Sequence, residues 1–304
     1  MLQQLSIQKA FQMTGIGVHS GRLVRVRVLP AAANSGIRLV RTDLSPEETF
    51  HLSAGAVHQT MLNTGLVNDN GARLSTVEHL MAAISGLTID NLLIEVDGPE
   101  MPIMDGSAAP FVLLLNEAGL KTQHAGKRFL RVTKPVCIRQ KDKYAVLRPS
   151  DGFRIRARID FDHPALRAGK QSLDIELTPQ SFVAEISRAR TFGFLSDIEA
   201  LHRQGLALGG GFNNAVVLDD YRVLNPEGLR YPDEFVRHKV LDAIGDLRLC
   251  GYNLQAELEC YKPGHALNNL LLRELMARDD AWEIITSAPG NQLIPEPRPH
   301  WSPA

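Results

Sequence analysis

The chain has 304 residues, 44% hydrophobic and 22% charged, with a formal net charge of -1 and a pI near 6.8. That length and balance allow a sizeable core, in one large domain or two of ordinary size. They argue against a global basic field that would draw the chain to nucleic acid or to an acidic membrane surface.

The first residues, MLQQLSIQKAFQM, lack the basic and apolar regions of a signal peptide. Gly15 to Gly21 (GIGVHSG) is a glycine-rich turn without the GK[ST] ending of a phosphate loop. It reads as structural, with His19 near a site as the alternative. Leu23 to Leu29 (LVRVRVL) alternates apolar and basic residues, the pattern of a half-buried strand. A helix at about 76–86 (TVEHLMAAISG) closes at Gly86, and a strand follows at 91–97 (NLLIEVD). The turn MDGS at 104–107 leads into a helix near 108–119, with Pro110 in its first turn.

Residues 121–128 (KTQHAGKR) are polar, contain Gly126 and read as a linker. Strands are expected near 129–139 and 143–148. Phe153, Ile155, Ala157, Ile159 and Phe161 then alternate with Arg154, Arg156, Arg158 and Asp160. Residues 192–222 form an insertion with a short helical pattern, strand-like flanks and Gly209-Gly210-Gly211. A helix at about 233–250, a strand at 253–261 and a helix from about 265 to 278 complete the pattern. The tail from Pro289 to Ala304 reads as irregular. Each half is thus strands, helix, strand, helix: an α+β chain of two similar domains, residues 1–126 and 127–304. Such a duplication lets the helix of Glu78 and His79 face the helix of His238 and Asp242 across the interface. Apolar runs such as FVLLL at 111–115 fall short of the ~20 residues of a spanning helix. Cys137, Cys250 and Cys260 are dispersed and form no CxxC pair, which suits a reducing compartment. A soluble, cytoplasmic protein is expected.

In FVRHKVLDAIGD (235–246), His238, Asp242 and Asp246 recur at i, i+4 and i+8 beside Lys239, opposite an apolar face. His238 and Asp242 can share one metal ion, although spacing alone favours a solvated surface. TVEHL (76–80) adds Glu78 and His79, a base beside a ligand. Ser75-x-x-Glu78 also fits a capping box. His265 sits at a probable helix start, where the dipole disfavours its charge unless a carboxylate such as Asp246 partners it; a capping or surface role is the alternative. Thr191, between two arginines and two phenylalanines, either donates to an oxyanion or ends a helix.

Taken together, GVHSG (17–21), TVEHL (76–80), MPIMDGSAAPF (101–111), SRARTFGF (187–194), NPEGLRYPDEFVRHKVLDAIGD (225–246) and GHALNN (264–269) resemble, in order and spacing, the UDP-3-O-acyl-N-acetylglucosamine deacetylase family. These are the zinc amidases of lipid A biosynthesis, and the resemblance covers nearly the whole chain. It implies one Zn²⁺ per chain bound by His79, His238 and Asp242 with water as fourth ligand; Fe²⁺ suits the same ligands. It further implies Glu78 as general base, His265 as the protonated partner supported by Asp246, and Thr191 as donor to the tetrahedral intermediate. The implied fold is two α+β domains with their helices sandwiched between sheets and the site at the interface. The implied reaction releases acetate from UDP-3-O-(3-hydroxyacyl)-N-acetylglucosamine, the committed step of lipopolysaccharide lipid A synthesis.

By the same resemblance Lys239, Lys143 and Lys262 meet the diphosphate, and Phe161 beside Asp160 offers a platform for uracil. Phe192, Phe194, Leu195, Ile198, Ala207, Gly211 and Val217 form the acyl passage. The expected partner is this small-molecule substrate alone, with no nucleic acid and no transmembrane segment, and the expected state is a monomer. Two other readings compete: an amidase acting on another acylated amino sugar, and a binding module with a structural metal. Structural zinc sites are usually closed and cysteine-rich, unlike this residue set.

Overall fold

The computed structural model describes residues 1–296. It is a mixed α+β molecule of several sheets and helices. In its first part five strands lie in the order Phe11–Ile16, Leu23–Pro30, Leu92–Val96, Ile37–Arg41, Glu48–His51. Neighbours are antiparallel except Ile37–Arg41 and Leu92–Val96, which run parallel. LVRVRVL behaves as its alternation requires: Val24, Val26 and Val28 are buried while Arg25 and Arg27 face solvent. A small sheet of Val57–Gln59, Gly65–Val67 and Arg73–Leu74 leads to the helix Glu78–Gly86. Every residue of that helix is buried, the polar Glu78, His79 and Ser85 included.

The second part centres on an eight-stranded sheet. Its hub, Asn253–Tyr261, runs antiparallel to Lys143–Arg148 and parallel to Arg128–Val132 and Phe153–Arg158. Phe153, Ile155 and Ala157 point inward, and Arg154 and Arg156 share Asp174 on the outer face. The strand stops at Arg158, short of the alternation through Phe161. Among the described residues no sheet pairs a strand before residue 127 with one after it.

The buried helix Glu78–Gly86 packs on the helix Glu234–Leu247. Gly245 makes this approach possible: a Cβ there would stand 2.0 Å from the Glu78 carbonyl oxygen. Backbone cannot yield as a side-chain tip can, so only a residue without Cβ fits.

Three expectations change. Residues 121–128 are no linker loop: Leu120–Gly126 is a strand antiparallel to Gln3–Ile7. Lys127 is buried, donating Nζ to the Thr88 carbonyl at 2.7 Å and Asp90 Oδ2 at 2.6 Å. The polar composition reflects an outward-facing strand in a two-stranded ribbon. Second, the capping box at Ser75 does not form. Thr76 turns into the left-handed region (φ 58°), and Val77 enters the helix with no side-chain cap. Third, Leu293–Pro295 is not irregular, for it pairs with Trp282–Ser287. The remainder of that tail, 297–304, lies outside the described residues. No described helix is long and apolar enough to cross a membrane.

Candidate metal and catalytic site

His79 follows Glu78 at the start of its helix, and His238 and Asp242 share one face of Glu234–Leu247. The polar arc of the second helix is not wet surface, since His238, Asp242 and Asp246 are at most 3% exposed. Burial follows from the packing of the two helices, which turns the three candidate ligands toward one point. Asp242 Oδ1 stands 3.3 Å from His238 Nε2 and 3.6 Å from His79 Nε2. The rings of His79 and His238 lie 5.1 Å apart, edge to face.

The orientation of two of the ligands has a cause, while His79 Nδ1 is buried without a hydrogen-bond partner. His238 Nδ1 lies 3.1 Å from the Ala189 carbonyl. A carbonyl only accepts, so Nδ1 carries the proton and Nε2 keeps its lone pair. Burial, offset by Asp242, lowers the His238 pKa to about 3, so the ring is neutral. That carbonyl is itself held by a buried ion pair: Arg190 Nε and N both donate to Glu234 Oε1 at 2.9 Å, tying the Arg190 segment to the first turn of the helix.

Asp242 Oδ2 accepts from Lys239 Nζ at 2.9 Å. Burial opposes its charge, but His238, Lys239 and His265 together hold the carboxyl well below its ordinary range. Oδ1 has no hydrogen-bond partner. A buried, ionised oxygen without a donor is costly unless a cation completes it. The three ligand atoms lie within 4.8 Å of one another. Two imidazole lone pairs and one carboxylate oxygen are the donor set of an open zinc site, and the residues fit that ion.

Around this triad stand the other groups. The Glu78 carboxylate is buried and accepts from the Thr64 backbone N–H at 3.0 Å. Burial pushes its pKa up, against the pull of His265 and His79. His265 is the first residue of the helix His265–Ala277. Its Nδ1 donates to Asp246 Oδ2 at 2.9 Å, and Nε2 lies 4.0 Å from Asp242 Oδ2. Burial opposes the imidazolium, but Asp246 and Asp242 prevail and push the His265 pKa up to about 9. The carboxylate thus overrides the helix dipole. Thr191 is fixed by its backbone, donating to the Gly106 carbonyl and accepting from Val216 N–H, each at 2.8 Å.

Glu78, His79, Thr191, His238, Asp242 and His265 line one cavity of about 710 Å³, with Asp246 behind His265. The same cavity is lined by Lys143, Lys239, Lys262, Phe192, Phe194, Ile198, Ala207, Gly211 and Val217, and by His19. The strand Phe192–Phe194 runs parallel to Val216–Leu218, and the helix Leu195–Arg203 follows it. Phe161 does not line the cavity; its ring packs behind Phe192 and Phe194, at centroid distances of 5.7 and 6.3 Å. Asp160 also stands outside it, bound to Tyr261 Oη at 2.6 Å and Lys262 Nζ at 3.2 Å. Leu195 is 49% exposed and does not reach the wall.

Sequence reading missed Thr64 and Asn268. Thr64 Oγ1 donates to Asp246 Oδ1 at 2.6 Å and Asn268 Nδ2 donates to Asp246 Oδ2 at 2.8 Å. Asn268 follows His265 by one helical turn, a spacing that could have revealed it. Thr64 carried no local signal.

The family model LpxC, UDP-3-O-acyl N-acetylglycosamine deacetylase, matches residues 4–277. Among curated proteins, a UDP-3-O-acyl-N-acetylglucosamine deacetylase of Histophilus somni is 51% identical over 304 residues, covering 100% of this chain and 99% of that protein. Proteins of the same name from Photobacterium profundum and Vibrio vulnificus are 56% and 55% identical over 286 residues, 94% of each chain. With its whole length matched at that identity, the chain belongs to the UDP-3-O-acyl-N-acetylglucosamine deacetylase family.

Proposed function

We propose that this protein hydrolyses the acetamide of UDP-3-O-(3-hydroxyacyl)-N-acetylglucosamine, giving the free amine and acetate for lipid A synthesis. The observation that carries the reading is Asp242 Oδ1, buried and unpartnered between two imidazole Nε2 atoms. His79, His238 and Asp242 would hold a zinc ion, which would supply Lewis acidity for activating water and polarising the amide carbonyl.

The chain's own groups do the rest. Glu78, buried beside the ligands, accepts the proton of the attacking water. Its raised pKa makes it a better base than an exposed carboxylate. His265 holds a proton on Nε2 because Asp246 engages Nδ1, and presents it to the developing oxyanion or the leaving amine. Thr191 supplies a hydroxyl on the same cavity wall. Lys239, Lys143 and Lys262 give the cavity cations for a diphosphate. Phe161, seated on Phe192 and Phe194, would carry the base, with Asp160 and its bound Lys262 alongside. Phe194, Ile198, Ala207, Gly211 and Val217 wall a passage for the acyl chain, and Leu195 would meet it only at the mouth. Each methylene buried there contributes ~0.8 kcal/mol.

The reading extends to organisation. Residues 1–126 and 127–304 form two α+β domains with the paired helices between their sheets and the site at the interface. The absence of ladders across residue 126 among the described residues supports this division. One chain supplies every group named, which supports a monomer, and a nucleotide-linked substrate supports a cytoplasmic location.

Acetate release from the intact substrate, compared with N-acetylglucosamine lacking nucleotide and acyl chain, tests the reading. Turnover of the intact substrate alone is expected. Equal turnover of both would leave only a general amidase, and none with either would reject the function.

A further inference from the structure

A second cavity, of about 220 Å³, shares no lining residue with the site above. Residues from both parts of the chain meet there: Asn34, His51 and Asp90 from the first, Arg128, Arg248 and Tyr252 from the second. Arg248 begins the short turn that follows the helix Glu234–Leu247, and its side chain is 2% exposed. Its Nη2 donates to the Ile89 carbonyl at 3.2 Å. Nε and Nη1 have no hydrogen-bond partner, and no carboxylate among the described residues forms an ion pair with it. A guanidinium does not escape by losing its proton, so the charge stays and its donors remain unmet.

Burial opposes the charge; Cys250, Asp90 and Tyr252 favour it, but none of them meets its free donors. Asp90 accepts from Leu5 N–H and Lys127 Nζ on Oδ2 and from Asn253 Nδ2 on Oδ1. Burial pushes the Cys250 thiol up, so it stays neutral. Arg128, on the same wall, pairs Nη2 with Glu296 but also leaves Nε buried and unpartnered. Two guanidinium groups, each with buried N–H donors unmet, thus stand on the wall of one cavity, large enough for an ion several times the size of a water molecule.

We propose that this cavity binds a small oxyanion, phosphate or a short carboxylate, held by Arg248 and Arg128 at the seam between the two parts of the chain. Fork-shaped donors match such oxygens in both geometry and charge. An anion at free concentration c, bound only by the folded chain, raises its stability by RT ln(1 + c/Kd), so the gain grows with the logarithm of its concentration.

The test is thermal unfolding of the zinc-loaded protein with inorganic phosphate or acetate, at ionic strength kept constant with chloride. A rise over chloride that grows with the logarithm of anion concentration is expected in wild type and in Lys239→Ala, whose altered cation lies in the other cavity, and its loss is expected in Arg248→Leu. The anion whose rise sets in at the lower concentration names the occupant. No rise with either anion, or an undiminished rise in Arg248→Leu, overturns the proposal. Should Arg248→Leu fail to fold, selenate-soaked crystals of wild type decide the matter. Anomalous signal within hydrogen-bond distance of Arg248 Nε or Nη1 supports the site, and water alone in the cavity rejects it.

Discussion

Thr64 joins two carboxylates that come from different parts of the chain: its Oγ1 donates to Asp246 Oδ1 at 2.6 Å and its backbone N–H to Glu78 Oε2 at 3.0 Å. The proposed base and the support of the proposed acid are therefore held by one residue, and its side chain can be altered without touching its N–H. Thr64→Val keeps the shape and leaves a buried carboxylate oxygen unmet, at a cost of about 1–3 kcal/mol of stability. It should lower kcat by roughly 10–100-fold with KM little changed, while Thr64→Ser restores most of the rate. A change in KM alone would deny the positioning role.

Glu78→Ala removes the proposed base but no ligand. The variant should keep its zinc, and turnover should fall by ~10²–10⁴-fold, the usual worth of a general base. Metal analysis beside steady-state kinetics checks both halves. Near-normal turnover would leave Glu78 as a structural partner of Thr64.

The His265 pKa is raised to about 9 from 6.5, so its protonated form is the one stabilised by folding. That stabilisation is fully present below about 6.5 and is lost as pH rises through about 9. Activity should follow, with kcat/KM falling on the alkaline side near that value. His265→Ala should be slower throughout and lack this limb; an unchanged profile would remove His265 from the proton chemistry.

Gly245→Ala tests the helix contact itself. With the Glu78 carbonyl 2.0 Å from the new Cβ, the two helices must separate. Overpacking of this kind costs ~1–3 kcal/mol and sometimes more. Because His79 and His238 ride on those helices, zinc affinity should fall together with unfolding temperature. Loss of stability with unchanged zinc affinity would show that the ligands adjust independently.

Periodicity made much of the fold legible. The alternation that begins at Phe153 and the 3.6-residue repeat of Glu234–Leu247 are local properties, and both elements stand close to where the pattern places them. Polar strands were harder: Leu120–Gly126 has one outward face and few apolar residues, so its pairing with Gln3–Ile7 is set by tertiary contact. At the site, His238 and Asp242 were legible as a pair, yet spacing could not tell buried from wet. That depends on a second helix more than a hundred residues away in sequence. Ser75 and Glu78 match a capping box, but the left-handed turn at Thr76 and the Thr64 N–H redirect the carboxylate. Thr64 meets Asp246 across 182 residues, a contact no local pattern encodes.

The central claim is that His79, His238 and Asp242 hold one catalytic zinc. Metal-free protein titrated with zinc, with acetate release followed at each addition, tests it most directly. Activity should rise linearly and stop at one zinc per chain, and Asp242→Ala should neither bind tightly nor recover. Full turnover by the metal-free protein, or tight stoichiometric zinc in Asp242→Ala, would contradict it.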